Sequence, residues 1–196
     1  MINFTHIIIH HSYTVAGSTV SWDDIKRYHT SWRYNDEIIT KEQAEKLISE
    51  GKNVLSPWSD IGYHFGVEML KPRPVVNDGT NIVVTDPPQL FFQFGRKLDF
   101  AGAHAVGFNS IGIGVCAISQ YDTNMPSQEV WSATLAISRG LMVKYNIKPA
   151  NVLGHWETFI LRGEAKTKEE AQKIKSCPGK LWDMDRFRSD LGIWTV

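Results

Sequence analysis

The sequence lacks an excess of charge of either sign and any long apolar run. Its 196 residues carry 21 basic and 21 acidic side chains, so the formal net charge is zero. A protein that follows a phosphate backbone or an anionic membrane surface normally has a basic excess, so neither nucleic acid nor a membrane is expected as a partner. No apolar stretch approaches the length needed to cross a bilayer.

Cysteine is also scarce, since the chain has only two. Cys116 and Cys177 lie far apart in different contexts, and two cysteines cannot form a disulfide framework, so both are predicted to be reduced. Cys116 stands among small and apolar neighbours typical of a central strand, which predicts a buried core thiol. Cys177 lies in a Lys-Ser-Cys-Pro-Gly segment.

The N-terminus has neither a basic region nor a small-residue cleavage site, and its apolar run is short. Synthesis in the cytoplasm without a signal peptide is therefore expected. The length favours one domain spanning residues 1–196, and a monomer is expected. Apolar residues make up 42% of the chain, which is typical of a globular protein.

Hydrophobic patterning predicts an α/β arrangement (α+β in the broader sense). Buried strands are predicted at residues 4–9, 112–119 and 151–154, and hairpin strands at 80–84 and 90–94 around a turn at 77–80. Helices are predicted after the capping residues Ser21, Thr40, Ser127 and Thr167, and over residues 183–191. Ile25, Tyr28 and Trp32 are predicted to share one face of the first helix.

Two histidines and one cysteine attract attention because of where they fall. His10 ends the first predicted strand, His155 directly follows a short strand, and Cys177 comes 22 residues later. Each alone is more typical of packing than of chemistry. Two imidazoles and one thiolate that converge would hold a zinc ion with its fourth position open to water, which is the catalytic pattern of three protein ligands.

Five motifs follow one another along the chain and carry a family resemblance. They are His-His-Ser at 10–12, Asp-Ile-Gly-Tyr-His-Phe at 60–65, Gly-Ala-His-Ala-Val-Gly-Phe-Asn-Ser-Ile-Gly-Ile-Gly-Val-Cys at 102–116, Leu-Gly-His at 153–155 and Lys-Ser-Cys-Pro-Gly at 175–179. In this order they resemble the type 2 N-acetylmuramoyl-L-alanine amidase family, which includes amidase-type phage lysozymes, muropeptide-recycling amidases and peptidoglycan recognition proteins. The resemblance covers residues 4–191.

The resemblance implies a central mixed β-sheet flanked by helices, with one zinc ion per chain in a surface cleft. His10, His155 and Cys177 match the zinc ligands. Two further positions match residues beside the metal, Tyr63 and Lys175. The remaining matches are assigned as follows: His104 and Asn109 line the substrate groove, and His11 and His64 are supporting or packing residues.

The implied activity is hydrolysis of the amide bond between N-acetylmuramic acid and L-alanine in peptidoglycan. A bacteriolytic phage endolysin, released to the cell wall by a holin, and a bacterial wall-lytic or recycling amidase both fit. The alternative is a recognition module that binds peptidoglycan or a muropeptide without cutting it.

The proposed residues form a coherent chemical set. Zinc on two neutral imidazoles and a thiolate lowers the pKa of its water toward about 7. Attack on an amide produces an oxyanion that needs a preorganised donor or positive charge, which Tyr63 and Lys175 would supply. The alternative interpretation makes Tyr63 a core aromatic and Lys175 a solvated charge at a helix end.

The chain departs from the family by three predicted insertions, near residues 35–57, 71–88 and 158–174. The third lengthens the segment between two predicted ligands, so Asp183 or Asp185 stays open as a carboxylate ligand in place of Cys177, and the insertion itself is a candidate lid. Glu157 is interpreted as a local charge rather than a base. Trp58 and Phe108 are interpreted as packing residues, with stacking on sugars as the alternative.

Overall fold

The computed structural model describes residues 2–14, 22–70, 74–76, 83–85 and 89–192. The predicted N-cap Ser21, the turn at 77–80 and most of the 71–88 insertion lie outside the described residues. None of the described helices is long and apolar enough to cross a membrane.

A five-stranded mixed sheet forms the centre of the described structure. The strands among the described residues are β1 (His6–His11), β2 (Trp32–Tyr34), β3 (Glu37–Ile39), β4 (Phe65–Leu70), β5 (Pro74–Val76), β6 (Val83–Thr85), β7 (Gln89–Phe94), β8 (Gly112–Ala117) and β9 (Val152–Gly154). The sheet order is β7-β4-β8-β1-β9, with β7 antiparallel to β4 and the other neighbours parallel. The predicted mixed sheet is confirmed.

The three adjoining parallel strands β8, β1 and β9 are covered on both faces. Every residue of β8 is buried, and Ile7, Ile8 and Ile9 of β1 have no exposed area. Continuous apolar runs of this kind, rather than an apolar-polar alternation, are typical of parallel strands between two layers. The short runs at 4–9, 112–119 and 151–154 therefore predict the correct strands, although β1 extends through His10 and His11.

Helices flank the sheet on both sides, as predicted. The helices are α1 (Trp22–His29), α2 (Lys41–Ser49), α3 (Gln128–Tyr145), α4 (His155–Leu161), α5 (Lys168–Ile174) and α6 (Met184–Gly192), with a 3-10 turn at Pro149–Asn151. Helices α3 and α6 pack with Ile7 and Ile9 in the larger core. On the other face, Trp22 and Ile25 of α1 pack with Cys116 in a second core.

Capping residues set several helix starts where the sequence predicts them. The Thr40 side chain accepts from the Gln43 backbone N–H while the Gln43 side chain accepts from the Thr40 N–H, which completes a capping box. Ser127 and Thr167 accept from the third residue of α3 and α5 in the same way. These contacts satisfy backbone N–H groups that a helix start leaves unpaired.

Two local predictions are wrong. Trp32 does not share a helical face with Ile25, because α1 ends at His29 and Trp32 begins the hairpin of β2 and β3. The predicted pairing of residues 80–84 with 90–94 is also wrong, since β6 pairs with β5 and β7 pairs with β4. Strand propensity identifies an extended segment, but its partner depends on packing from distant parts of the chain.

Candidate metal centre

Parallel pairing brings two histidines to the same edge of the sheet. In the register of β1 and β9, Ile9 lies opposite Gly154, so His10 and His155 are the next residues along the two strand directions. Their ring centroids are 4.7 Å apart. The carboxyl ends of parallel strands are the usual position of a site in an open α/β sheet.

Cys177 reaches the same point from the segment between α5 and α6. Its Sγ lies 3.5 Å from Nδ1 of His10 and accepts a hydrogen bond from the His11 backbone N–H at 3.4 Å. The Cys177 carbonyl in turn accepts from the Trp156 N–H at 2.9 Å, which ties the segment to the start of α4. Backbone contacts on both sides therefore fix the position of the sulfur.

The three side chains fit a zinc ion. One ligand atom from each of His10, His155 and Cys177 lies within 4.8 Å of the others, and they are the one such group of three among the described residues. Nδ1 of His155 is buried without a hydrogen-bond partner, which is costly unless a metal occupies the space before it. A nitrogen–nitrogen–sulfur set is the chemistry that zinc prefers.

Burial also sets the protonation states of the cluster. Desolvation lowers the pKa of His155 to about 3 and holds that of His10 well below its usual value, so both imidazoles are neutral and have a lone pair to donate. Desolvation raises the pKa of Cys177 to about 12, partly opposed by the His11 N–H and the charge of Lys175. Metal binding to this thiol would release its proton.

The cluster is more enclosed than the expected surface cleft. His10 and Cys177 are 1% and 2% exposed, and His155 is the most accessible of the three at 8%. Of the three side chains, solvent therefore reaches His155 most easily.

Tyr63 lies beside the cluster, on the loop that enters β4. Its ring centroid is 5.0 Å from that of His10, and the residue is partly exposed. Desolvation raises the pKa of Tyr63 well above its usual value, and the neighbouring thiols of Cys116 and Cys177 raise it further. The phenol is consequently a neutral hydrogen-bond donor at any ordinary pH.

Lys175 is exposed and directly follows α5, where its backbone N–H donates to the Ala171 carbonyl. Its positive charge lowers the pKa values of His10, His155 and Cys177. The ammonium is therefore close enough to the cluster to act on it electrostatically.

His104 and Asn109, the two residues predicted to line the substrate groove, lie in the loop that precedes β8. His104 is 9% exposed, and its Nδ1 lies 3.0 Å from Nε2 of His10, on the side of that ring away from Cys177. Asn109 Oδ1 accepts from the backbone N–H groups of His104 and Ala105, both at 2.8 Å. The amide thus organises the loop that carries His104.

His11 and His64 are supporting residues, as expected. His11 Nδ1 accepts from the Tyr121 backbone N–H at 3.2 Å. His64 Nδ1 accepts from the Gly114 N–H at 3.0 Å, so its Nε2 donates to the Phe100 carbonyl at 3.2 Å. Each imidazole therefore satisfies backbone groups around the cluster.

The carboxylates considered as alternatives are engaged elsewhere. Asp183 Oδ1 accepts from the first N–H groups of α6, and the highly exposed Asp185 pairs with Arg188 at 2.6 Å. Glu157 accepts from the Gly154 N–H at 2.7 Å and from Arg188 at 2.9 and 3.0 Å. Glu157 therefore holds the start of α4, the helix that begins with His155.

The aromatic residues considered for sugar stacking are engaged within the protein. Trp58 is 36% exposed, but the tilted ring of His29 packs on it at 4.6 Å between centroids and the guanidinium of Arg33 lies 4.8 Å from its centroid. Phe108 is 8% exposed and packs edge to face with His6. Both contacts favour the packing interpretation, and Cys116, with no exposed area, is buried as predicted.

Phe159 and Arg162 are neighbours of the site that the sequence analysis missed. Phe159 stacks on His155 at 5.7 Å between centroids and 24° between planes, and Arg162 lies 4.7 Å from the Phe159 centroid. Arg162 also donates to the Val106 carbonyl at 2.6 Å. The spacing of four residues from His155 to Phe159 on α4 was the available signal.

Comparison with known proteins gives consistent results. A family model described as N-acetylmuramoyl-L-alanine amidase matches residues 2–180. An endolysin of Klebsiella phage KP32 is 26% identical over 74% of this chain and 68% of its own length. Peptidoglycan-recognition protein LB of Drosophila melanogaster is 26% identical over 76% of this chain, which spans half of that protein.

Solved structures show the same fold. The N-acetylmuramoyl-L-alanine amidase LysC from Clostridium intestinale URNW matches 98% of this chain and 88% of its own, with a TM-score of 0.55 at 20% identity. A second structure from that organism, described as an endolysin amidase, LysCS, gives the same TM-score at 21% identity.

Proposed function

The chain belongs to the N-acetylmuramoyl-L-alanine amidase family, and we propose that it is a zinc-dependent enzyme that hydrolyses the amide between N-acetylmuramic acid and L-alanine in peptidoglycan. The single observation that carries the proposal is the convergence of His10, His155 and Cys177, with their ligand atoms within 4.8 Å of one another. One zinc ion per chain would be held by these three residues.

Bound zinc would supply a Lewis acid that activates water and polarises the amide carbonyl. The protein's part is to hold two imidazoles neutral by burial, so that both can donate a lone pair without first losing a proton. The hydrogen bond from the His11 N–H and the charge of Lys175 favour the thiolate form of Cys177 that a ligand requires.

Tyr63 and Lys175 would stabilise the negative charge that develops on the carbonyl oxygen as water adds. Tyr63 stays protonated and lies beside His10, so it can donate a hydrogen bond without loss of its proton. Lys175 brings a positive charge close enough to the cluster to lower the pKa of His155. Donors that are in place before charge develops cost no reorganisation at the moment of reaction.

The insertion at 158–174 would form a wall of the substrate groove. Ala165 and Ala171 are buried against Trp156, and Arg162 is bonded to the Val106 carbonyl of the neighbouring loop. A packed segment with these contacts favours a fixed wall over the lid that the sequence also allowed. We propose one amidase domain over residues 1–196, with this wall as an addition.

Two physiological roles fit the proposed reaction. A phage endolysin is supported by the relative from Klebsiella phage KP32, and a bacterial wall-lytic or recycling amidase uses the same chemistry. A recognition module that binds without cutting is the alternative, supported by the match to a peptidoglycan-recognition protein. The complete set of three candidate ligands favours the enzyme, since a binding module has no need of them.

The experiment is the release of free stem peptides from purified peptidoglycan, with zinc content measured on the same sample. The proposal expects about one zinc per chain and cleavage that a chelator abolishes and added zinc restores. Cleavage that survives complete metal removal would contradict the mechanism. Pull-down on peptidoglycan without release of peptides, with zinc bound, would establish the recognition role instead.

A further inference from the structure

Both ring nitrogens of His104 are committed to buried partners. Its Nε2 lies 3.2 Å from the Gly112 carbonyl oxygen and its Nδ1 lies 3.0 Å from Nε2 of His10. A carbonyl can only accept, so the proton of a neutral His104 ring must be on Nε2. Its Nδ1 is then an acceptor, and the His10 ring must donate to it from Nε2.

This chain of hydrogen bonds decides where the His10 lone pair lies. With its own proton on Nε2, the neutral His10 ring keeps a lone pair on Nδ1. Nδ1 is the atom that lies 3.5 Å from the Cys177 sulfur. The Gly112 carbonyl, which can only accept, thus determines through two imidazoles that the His10 nitrogen facing the cluster carries a lone pair and not a proton.

The fold builds a slot for the His104 ring. A Cβ atom on Gly102 would lie 2.3 Å from Cδ2 of His104, and one on Gly114 would lie 2.7 Å from the same atom. Only residues without a side chain can stand at these two positions while the ring stays where it is. The ring also packs edge to face against His64, with centroids 5.7 Å apart.

The backbone of His104 is fixed as well. Asn109 Oδ1 accepts from the N–H groups of both His104 and Ala105, and the Gly102 N–H donates to the Asn109 carbonyl at 2.8 Å. The side chain and the backbone carbonyl of Asn109 thus close the loop from 102 to 109. These contacts hold the backbone of His104 where its imidazole meets His10.

We propose that His104 is a positioning residue that selects the Nε2–H tautomer of His10 and thereby directs the Nδ1 lone pair into the metal site. The proposal rests on the proposed function for the identity of the metal, but the tautomer is a property of the protein alone. In this role His104 acts through its hydrogen bond with the candidate ligand His10 and not through a contact with substrate. Partners of this kind orient a ligand and raise its basicity.

The direct test is the tautomer of His10 in metal-free protein, read from two-bond nitrogen–proton couplings of the imidazole rings. The proposal expects a proton on Nε2 of both His10 and His104. A proton on Nδ1 of His10 would overturn it. This measurement uses the unaltered protein, so it does not depend on how a variant folds.

Two variants then separate the hydrogen bond from the volume of the ring. In His104→Asn the amide oxygen replaces Nδ1 as the acceptor for His10, whereas His104→Leu offers no acceptor. The expectation is that His104→Leu weakens zinc binding about 10–100-fold, as is typical for loss of an outer partner, while His104→Asn recovers most of that loss. Affinity is measured by competition with a chromophoric chelator, and equal affinity in both variants would overturn the proposal.

His29→Leu is the matched control for loss of a buried imidazole. His29 is 8% exposed and its Nδ1 accepts from the Gly62 N–H at 3.1 Å, but it has no bond to a candidate ligand. Zinc affinity should be unchanged in this variant, and an equal loss there would mean that His104 acts only through general stability. A wild-type protein with the expected tautomer that binds no zinc would contradict the proposed function while supporting the tautomer selection.

Discussion

Nδ1 of His10 and Sγ of Cys177 lie 3.5 Å apart, although 167 positions separate them in the chain. The position of His10 is fixed by the central strand β1. The position of Cys177 is fixed by a loop that is bound to His11 and Trp156 through hydrogen bonds with their backbone N–H groups. Closing so long a loop on a polar contact would be unfavourable by itself. The surrounding core therefore supports the geometry, and a metal ion would strengthen it.

Replacement of the candidate thiolate ligand should abolish metal binding. Cys177→Ser removes the sulfur and leaves a hydroxyl that zinc binds poorly, so the loss of affinity should exceed the roughly 10–100-fold typical of an outer partner. Cys116→Ser is the matched control, since Cys116 is the other buried thiol. The control should keep about one zinc per chain, and metal analysis after dialysis checks both variants. Zinc retained by Cys177→Ser would exclude this residue as a ligand.

Loss of the Glu157 charge should affect stability rather than catalysis. Gln at this position can still accept from the Gly154 N–H, but it loses the ion pair with Arg188, whose two contacts are 2.9 and 3.0 Å. Hydrogen bonds between charged groups contribute about 1.5–3 kcal/mol, so Glu157→Gln should lower the free energy of unfolding by about 2 kcal/mol. Urea denaturation measures this loss.

The exposed Glu169, in the first turn of α5, provides the control for Glu157. Glu169→Gln should change the free energy of unfolding by no more than about 0.5 kcal/mol. Peptide release by folded Glu157→Gln should remain near the wild-type rate. A fall of about 10²-fold or more, with zinc retained, would instead make Glu157 a general base.

The sequence predicts the sheet and the candidate ligands for a physical reason. Apolar runs without alternation mark buried parallel strands. The residue that follows such a run lies at the carboxyl end of the strand, where sites form in open α/β sheets. His10 and His155 occupy that position on neighbouring strands. The order of motifs adds Cys177, which no local pattern distinguishes from a small loop hydrophobe.

The position of His104 could not be predicted in the same way. A histidine in a glycine-rich loop is equally compatible with a solvent-facing groove and with a buried slot. The choice depends on Gly114, which belongs to β8 and leaves the space that the ring occupies. The predicted pairing of β6 with β7 is wrong for a similar reason, because β7 pairs with β4, a strand from an earlier part of the chain, and β6 pairs with β5.

The metal-free protein should lose stability as the pH falls below neutrality. Burial, with positive charge from Arg33, Arg96 and Lys175, lowers the pKa of His29 from 6.5 to about 4. Between pH 6.5 and about 4, His29 is therefore protonated in the unfolded chain but neutral in the folded protein. The stability present above pH 6.5 is lost progressively as the pH falls to about 4. For this group alone the loss is about 3 kcal/mol.

The contribution of His29 can be isolated by substitution. His29→Gln removes the titrating group, so the free energy of unfolding should depend less steeply on pH between 6.5 and 4 than in the wild-type protein. His6→Gln is the control, because His6 is only half-buried, and its removal should change the slope less. Urea denaturation at several pH values measures these slopes, and identical slopes in the wild type and His29→Gln would contradict the pKa shift.

Loss of a donor beside the metal should slow the reaction without removing zinc. Tyr63→Phe deletes the hydroxyl but keeps the ring that packs at 5.0 Å on His10, and Lys175→Met deletes the charge but keeps the length of the side chain. Each should reduce kcat about 10²–10³-fold, or about 3–4 kcal/mol, as for removal of one oxyanion donor. Lys173→Met, two residues earlier in the last turn of α5 and also exposed, is the control and should keep the wild-type rate.

The two variants also separate stabilisation of the transition state from binding of substrate. A donor that acts only as charge develops lowers kcat and kcat/KM equally, whereas a residue that binds the ground state raises KM and leaves kcat unchanged. Initial rates of stem-peptide release across a range of muropeptide concentrations give both constants. If Lys175→Met raises KM alone, then Lys175 holds an acidic group of the substrate, and Tyr63 is left as the donor to the oxyanion.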